Sequence, residues 1–147
     1  MKTKSEYLKE PSNGALYVIT EHWDSDMQFY SDEIHFLKHL IHDHFLWIIE
    51  AQHLQKVNDL HHELHVLSGK ATMLKNKVEK HLSHLAELDE NEFAYDEQEF
   101  RDEHLGLEKE VAEFCKDFRV LKRQIFETVK GGIDHEKLKY LQDGQAS

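Results

Sequence analysis

Apolar residues recur at alternating spacings of three and four along two long stretches of the chain. The later stretch reads Phe100, His104, Leu107, Val111, Phe114, Phe118, Leu121 and Ile125. The earlier one reads Val57, Leu60, Leu64, Leu67, Ala71, Leu74, Val78, His81, Leu85 and Leu88. Such spacing puts each set on one helix face, as in a coiled coil. Each seam has a single strongly polar member, His104 in one and His81 in the other. If the two helices fold back antiparallel around an acidic link at residues 89–92, the numbers of facing residues add to a constant. Leu85 then opposes Phe100, small Ala71 opposes large Phe114, Leu60 opposes Ile125, and His81 opposes His104.

A further helix is expected over residues 24–51, where Ser25 and Gln28 have capping-box spacing and Asp24 and Asp26 suit the positive end of the helix dipole. Its seam is Met27, Tyr30, Ile34, Leu37, Ile41, His44 and Ile48. A second stripe of Phe29, Phe36, Leu40 and Trp47 lies beside that seam, which makes it the expected interface of a homodimer. With a turn at residues 52–56, the preferred register sets Ile48 against Leu60, Ile41 against Leu67 and Met27 against His81; a register one heptad away also fits. Residues 1–14 read as a polar arm and residues 15–20 as an extended apolar strap. The last long helix is expected to start after Asp89, capped by its spacing to Glu92, and to stop at Gly131 and Gly132.

These elements predict an all-α fold, a long antiparallel three-helix bundle made of a coiled-coil-like hairpin and one N-terminal helix. The alternative is a four-helix bundle, produced by a break of the second helix at Gly69; the seam stays in phase there, which favours continuity. The expected organisation is an arm and strap over residues 1–23, the bundle over 24–130 and a tail over 131–147.

Composition narrows the function classes. The 147 residues fit one domain with 39% apolar content, and the formal charge of -11 disfavours nucleic acid and acidic membrane surfaces, which need a basic face. The 13 histidines make solubility and assembly sensitive to pH near 6. Cys115 is the lone cysteine and reads as a small buried or half-buried side chain in preference to a reactive thiol. With no apolar run of signal or membrane-spanning length, a cytoplasmic setting is expected.

The His81–His104 layer is the sharpest chemical feature. Two neutral imidazoles there share one N–H···N hydrogen bond, with burial and mutual repulsion lowering both pKa values. The same pair offers two nitrogen ligands to a metal, and under the preferred register Asp26 and Glu33 supply carboxylates at that level. A buried polar pair that sets register is the competing role. His35 with His39, and His61 with His65, are spaced i, i+4 and share a helix face, as chelating or merely solvated pairs do. No Ser/His/Asp or Cys/His grouping or Gly-rich phosphate loop is present, and Glu50 and His53 form the only Glu-x-x-His copy, too few for a ferritin-like centre.

The segments at residues 26–33, 99–104 and 121–126, such as Glu99-Phe100-Arg101-Asp102-Glu103-His104, resemble a group of small helical proteins of Bacteroidetes-type bacteria with no assigned activity. The resemblance covers residues 24–130 and implies a helical fold in a bacterial cytoplasm. The functional expectation is a non-enzymatic scaffold or protein-binding module that needs no cofactor and meets a protein partner. The alternative is a metal-binding bundle holding Zn or Fe at His81, His104, Asp26 and Glu33, and a third reading is a pocket for a small apolar ligand.

Overall fold

The computed structural model describes residues 12–91 and 97–146. They form helices α1 (Asn13–Asp43), α2 (Phe45–Ala51), α3 (Leu54–Glu90) and α4 (Glu97–Ala146), with no strand among the described residues. The fold is all-α, and four helices replace the expected three. The extra one does not come from Gly69, through which α3 runs unbroken. It comes from His44, where φ -110° and ψ 13° leave helical geometry and the bond from His44 N–H to the Leu40 carbonyl stretches to 3.3 Å.

Every residue of the two hairpin seams is buried, as are Met27, Ile34, Leu37, Ile41 and Ile48 on the first; Tyr30 and His44 are half-buried. The periodicity therefore selects the buried face correctly over the whole of the expected bundle. It also continues further toward the N-terminus than expected. Residues 15–20 are not an extended strap but the first turns of α1, which starts where the Ser12 hydroxyl accepts a hydrogen bond from Ala15 N–H at 3.2 Å. Ser12 is thus the N-cap, and Ser25 lies in the middle of the helix. Leu16, Thr20 and Trp23 extend the seam in phase, and buried Thr20 satisfies its hydroxyl by donating to the Leu16 carbonyl at 2.7 Å. The branched and aromatic run of Tyr17, Val18 and Ile19 suggests a strand locally, but these side chains remain exposed. Burial on a 3/4 period outweighs their modest β preference.

At the other end, α4 passes through Gly131 and Gly132 to Ala146, so the expected glycine cap and separate tail are absent. No glycine has a positive φ among the described residues. α3 likewise includes Asp89 and ends at Glu90, so Asp89 lies within a helix instead of capping the next one, and Glu92 lies outside the described residues.

The chain divides into two compact units. The first combines the chain up to Phe29 with Ala71–Glu113. In it Leu16 packs with Leu85, Leu88 and Phe100, and Lys75 reaches Asp24 at 3.3 Å. Those contacts select the register one heptad from the preferred one. The preferred placement of Met27 against His81 is corrected accordingly, and Trp23 is the α1 residue that meets the histidine layer. The second unit combines Tyr30–Lys70 with Phe114–Ser147. There Tyr30 packs against the rings of Phe114 and Phe118, and Lys122 lies against Phe118 and Phe126 while its ammonium pairs with Glu33 at 2.9 Å. A Cβ on Gly132 would stand 2.8 Å from Ile48 Cγ1 and 3.1 Å from its backbone nitrogen. Gly132 is therefore a close-approach residue that lets α4 lie against α2.

Candidate metal centre

The first unit holds the histidine layer. α3 contributes His81 and, three residues on along the same face, His84; α4 contributes Glu103 and His104. The Nε2 atom of His81 lies 2.8 Å from Nδ1 of His104, so the anticipated imidazole–imidazole hydrogen bond is formed. Three aromatic contacts fix the rings. His81 stacks on Phe100 with centroids 4.6 Å apart and planes 10° from parallel, and Trp23 stacks on His104 at 4.8 Å and 26°. The two imidazoles are themselves tilted by 35°.

This environment opposes protonation of both histidines. His81 is fully buried, and its pKa is pushed down to about 4, chiefly by burial and then by the charges of His104 and His84. Burial also lowers the pKa of His104; Glu108 acts against that shift and Arg101 reinforces it. Both rings are thus neutral at neutral pH and available as nitrogen donors.

The second nitrogen of His81 points to a group that sequence reasoning missed. His81 Nδ1 is buried without a hydrogen-bond partner and lies 3.8 Å from Glu103 Oε1, while His84 Nδ1 lies 3.8 Å from the same oxygen. The three ligand atoms all fall within 4.8 Å of one another, and this is the one such group among the described residues. His84 is 19% and Glu103 48% exposed at the side chain, so the group opens from a buried nitrogen toward solvent. Two imidazole nitrogens and a carboxylate oxygen are donors suited to zinc or to ferrous iron, with coordination positions left over.

Of the ligands expected from sequence, His81 belongs to this group, and His104 holds His81 from behind. Asp26 is exposed on α1 outside the group, and Glu33 belongs to the second unit, where Lys122 occupies its carboxylate at 2.9 and 3.0 Å. Both were placed by the register that the Leu16 contacts overturn. The available signal for the missed pair was the i, i+3 spacing of His81 and His84, together with Glu103 preceding the seam residue His104.

The remaining candidates separate clearly. His35 and His39 converge, with Nε2 atoms 3.2 Å apart and rings edge-to-face. The carboxylate of Glu50 pairs with His135 and Lys139 at 3.3 and 3.1 Å, and His53 lies in the turn between α2 and α3. Phe29 and Phe36 are each 56% exposed, whereas Leu40 and Trp47 are half-buried. A groove of about 360 Å³ beside Leu67 and Leu121 is bordered by Glu63, Lys70, Lys116 and Asp117, a rim that does not suit an apolar ligand. No helix among the described residues is long and apolar enough to cross a membrane. No family model matches the chain, and neither a curated protein nor a solved structure matches it.

Proposed function

We propose that this chain is a metal-binding helical protein that holds one divalent transition cation, zinc or ferrous iron, between His81, His84 and Glu103. The observation that carries the reading is the buried His81 Nδ1, which has no hydrogen-bond partner and faces a carboxylate oxygen at 3.8 Å. A buried polar atom left unsatisfied costs about 1–3 kcal/mol, and coordination removes that cost. His104 acts as the supporting partner. When His81 binds metal through Nδ1, its Nε2 carries the proton and donates to His104 Nδ1, the outer hydrogen bond that orients metal-bound histidines. The donor spacing is slightly wider than in a closed coordination sphere, and the 48% exposed Glu103 is the ligand able to move inward.

A scaffold or protein-binding role is the second reading, favoured by Leu138, Tyr140 and Leu141, which remain exposed near the end of α4. The single cysteine supports a cytoplasmic setting for either role. The deciding measurement is metal content of tag-free protein purified without chelator, with calorimetric titration of Zn²⁺ into apo protein. The comparison uses wild type and the His84→Ala/Glu103→Ala variant, each in a His35→Ala/His39→Ala background. One ion per chain in the wild-type site, lost in the variant, is expected; free Zn²⁺ at a hundredfold excess over Kd should then stabilise the site-intact protein by about 2.7 kcal/mol. Absence of both binding and stabilisation with Zn²⁺ and Fe²⁺ would leave the layer purely structural and favour the scaffold.

A further inference from the structure

We propose that His35 and His39 on α1 form half of a second metal site, completed by the same two residues of a second copy of this chain. This site is independent of the α3–α4 centre: it lies in the other compact unit and shares no residue with it. Many histidine pairs at i, i+4 splay into solvent. Here the two Nε2 atoms converge to 3.2 Å, with the rings edge-to-face at 81° and centroids 4.6 Å apart. A tetrahedral Zn²⁺ with nitrogen ligands at about 2.0–2.1 Å needs neighbouring nitrogens about 3.3 Å apart. The pair therefore already has the bite of two zinc ligands, and the ion would replace the single proton that the two nitrogens now share.

Two donors do not complete a zinc coordination sphere. No third His, Cys, Asp or Glu donor joins them among the described residues, so the remaining donors come from outside the chain. A two-fold axis through the ion brings His35 and His39 of a second copy into the two empty positions and gives a four-histidine site; an isologous contact requires only that one patch meet itself. Two further observations favour that occupant over solvent. Phe36, between the histidines in sequence, is 56% exposed and offers apolar surface for such a contact to cover. Each copy has a formal charge of -11, so a cation on the axis offsets the repulsion between two acidic molecules.

The test is molar mass by light scattering or sedimentation, in chelator and then with Zn²⁺ added, for wild type, His35→Ala/His39→Ala, His61→Ala/His65→Ala and His84→Ala/Glu103→Ala. Both pairs at positions 35/39 and 61/65 are exposed on helices, where alanine preserves folding. The expected result is a twofold rise in mass on adding zinc, reversed by chelator and abolished only in the first variant. In the His84→Ala/Glu103→Ala protein the doubling should persist with half an ion per chain, so failure of the α3–α4 centre would not affect it. The proposal is overturned if the mass stays at one chain with zinc, if a dimer already exists in chelator, or if the His35→Ala/His39→Ala protein doubles as wild type does.

Discussion

At the scale of single residues, His81 and His104 illustrate how a polar pair survives in an apolar seam. Their shared hydrogen bond satisfies one nitrogen of each ring, and the stacking of Phe100 and Trp23 covers their faces. Folding disfavours protonation of His81, because its pKa of about 4 in the folded state lies below the ordinary 6.5. The unfolded chain consequently binds more protons between those values. Stability of the metal-free protein should be complete above about pH 6.5 and decline as the pH falls toward 4, by a total on the order of 3 kcal/mol. The lowered pKa of His104 acts in the same direction. Urea unfolding in chelator at pH 7.5 and pH 5 measures the difference. The His81→Leu/His104→Leu variant should lose most of that dependence and be neutral or slightly stabilised at pH 7.5, because an apolar pair has no polar group to desolvate. His104→Leu alone should instead be destabilised by about 1–3 kcal/mol, since it leaves the second nitrogen of His81 without its partner as well. Equal stability of the single and double variants would refute this account of the pair.

At the scale of elements, glycines distinguish local preference from packing. Gly69 sits within α3 with nothing inside 4 Å of an added Cβ, whereas Gly132 lies against Ile48. Gly69→Ala should therefore stabilise the protein by about 1 kcal/mol through helix propensity alone. Gly132→Ala should destabilise it by about 1–3 kcal/mol, because α2 and α4 must separate to admit the methyl group. Thermal unfolding of the two variants should move in opposite directions, and a common direction would show that the close approach at Ile48 is unimportant.

The same contrast explains which parts of the fold were legible in the sequence. The seams of α3 and α4 could be read to the residue because a strict heptad spacing has one solution, and the complementary positions of Ala71 and Phe114 and of His81 and His104 specified the hairpin register. The start of α1 was obscured because Thr20 and Trp23 do not look apolar enough to extend a seam, although Thr20 satisfies its own hydroxyl internally. The end of α4 was obscured because a Gly-Gly pair has the same appearance whether it caps a helix or admits a neighbour. For the candidate centre, the His81–His104 bond was legible, but Asp26 and Glu33 depended on a heptad choice that local pattern leaves degenerate. The contacts of Leu16 with Leu85 and of Asp24 with Lys75 resolve it.

At the scale of the whole molecule, the balance of charge links the buried pair to solubility. The chain carries 29 acidic and 18 basic residues with 13 histidines, and its isoelectric point lies near 5.6. Burial disfavours protonation of two of those histidines, His81 and His104, in the folded state. The 13 histidines outnumber the formal deficit of -11, so acidification cancels the repulsion between copies. Net charge near zero favours association. Surface apolar groups such as Phe36, Leu46 at 70% exposure and Tyr140 at 79% are then free to make contact. Turbidity and light scattering should show a solubility minimum close to pH 5.6 that salt broadens by screening, with helical circular dichroism unchanged across it. Replacing exposed His22, His42 and His62 together with glutamine should move the minimum to lower pH, because fewer groups remain to offset the acids. The His81→Leu/His104→Leu variant should move it less, since burial disfavours protonation of both rings in the folded molecule. A minimum that moved as far with the buried pair would mean that their protonation opens the core before association begins.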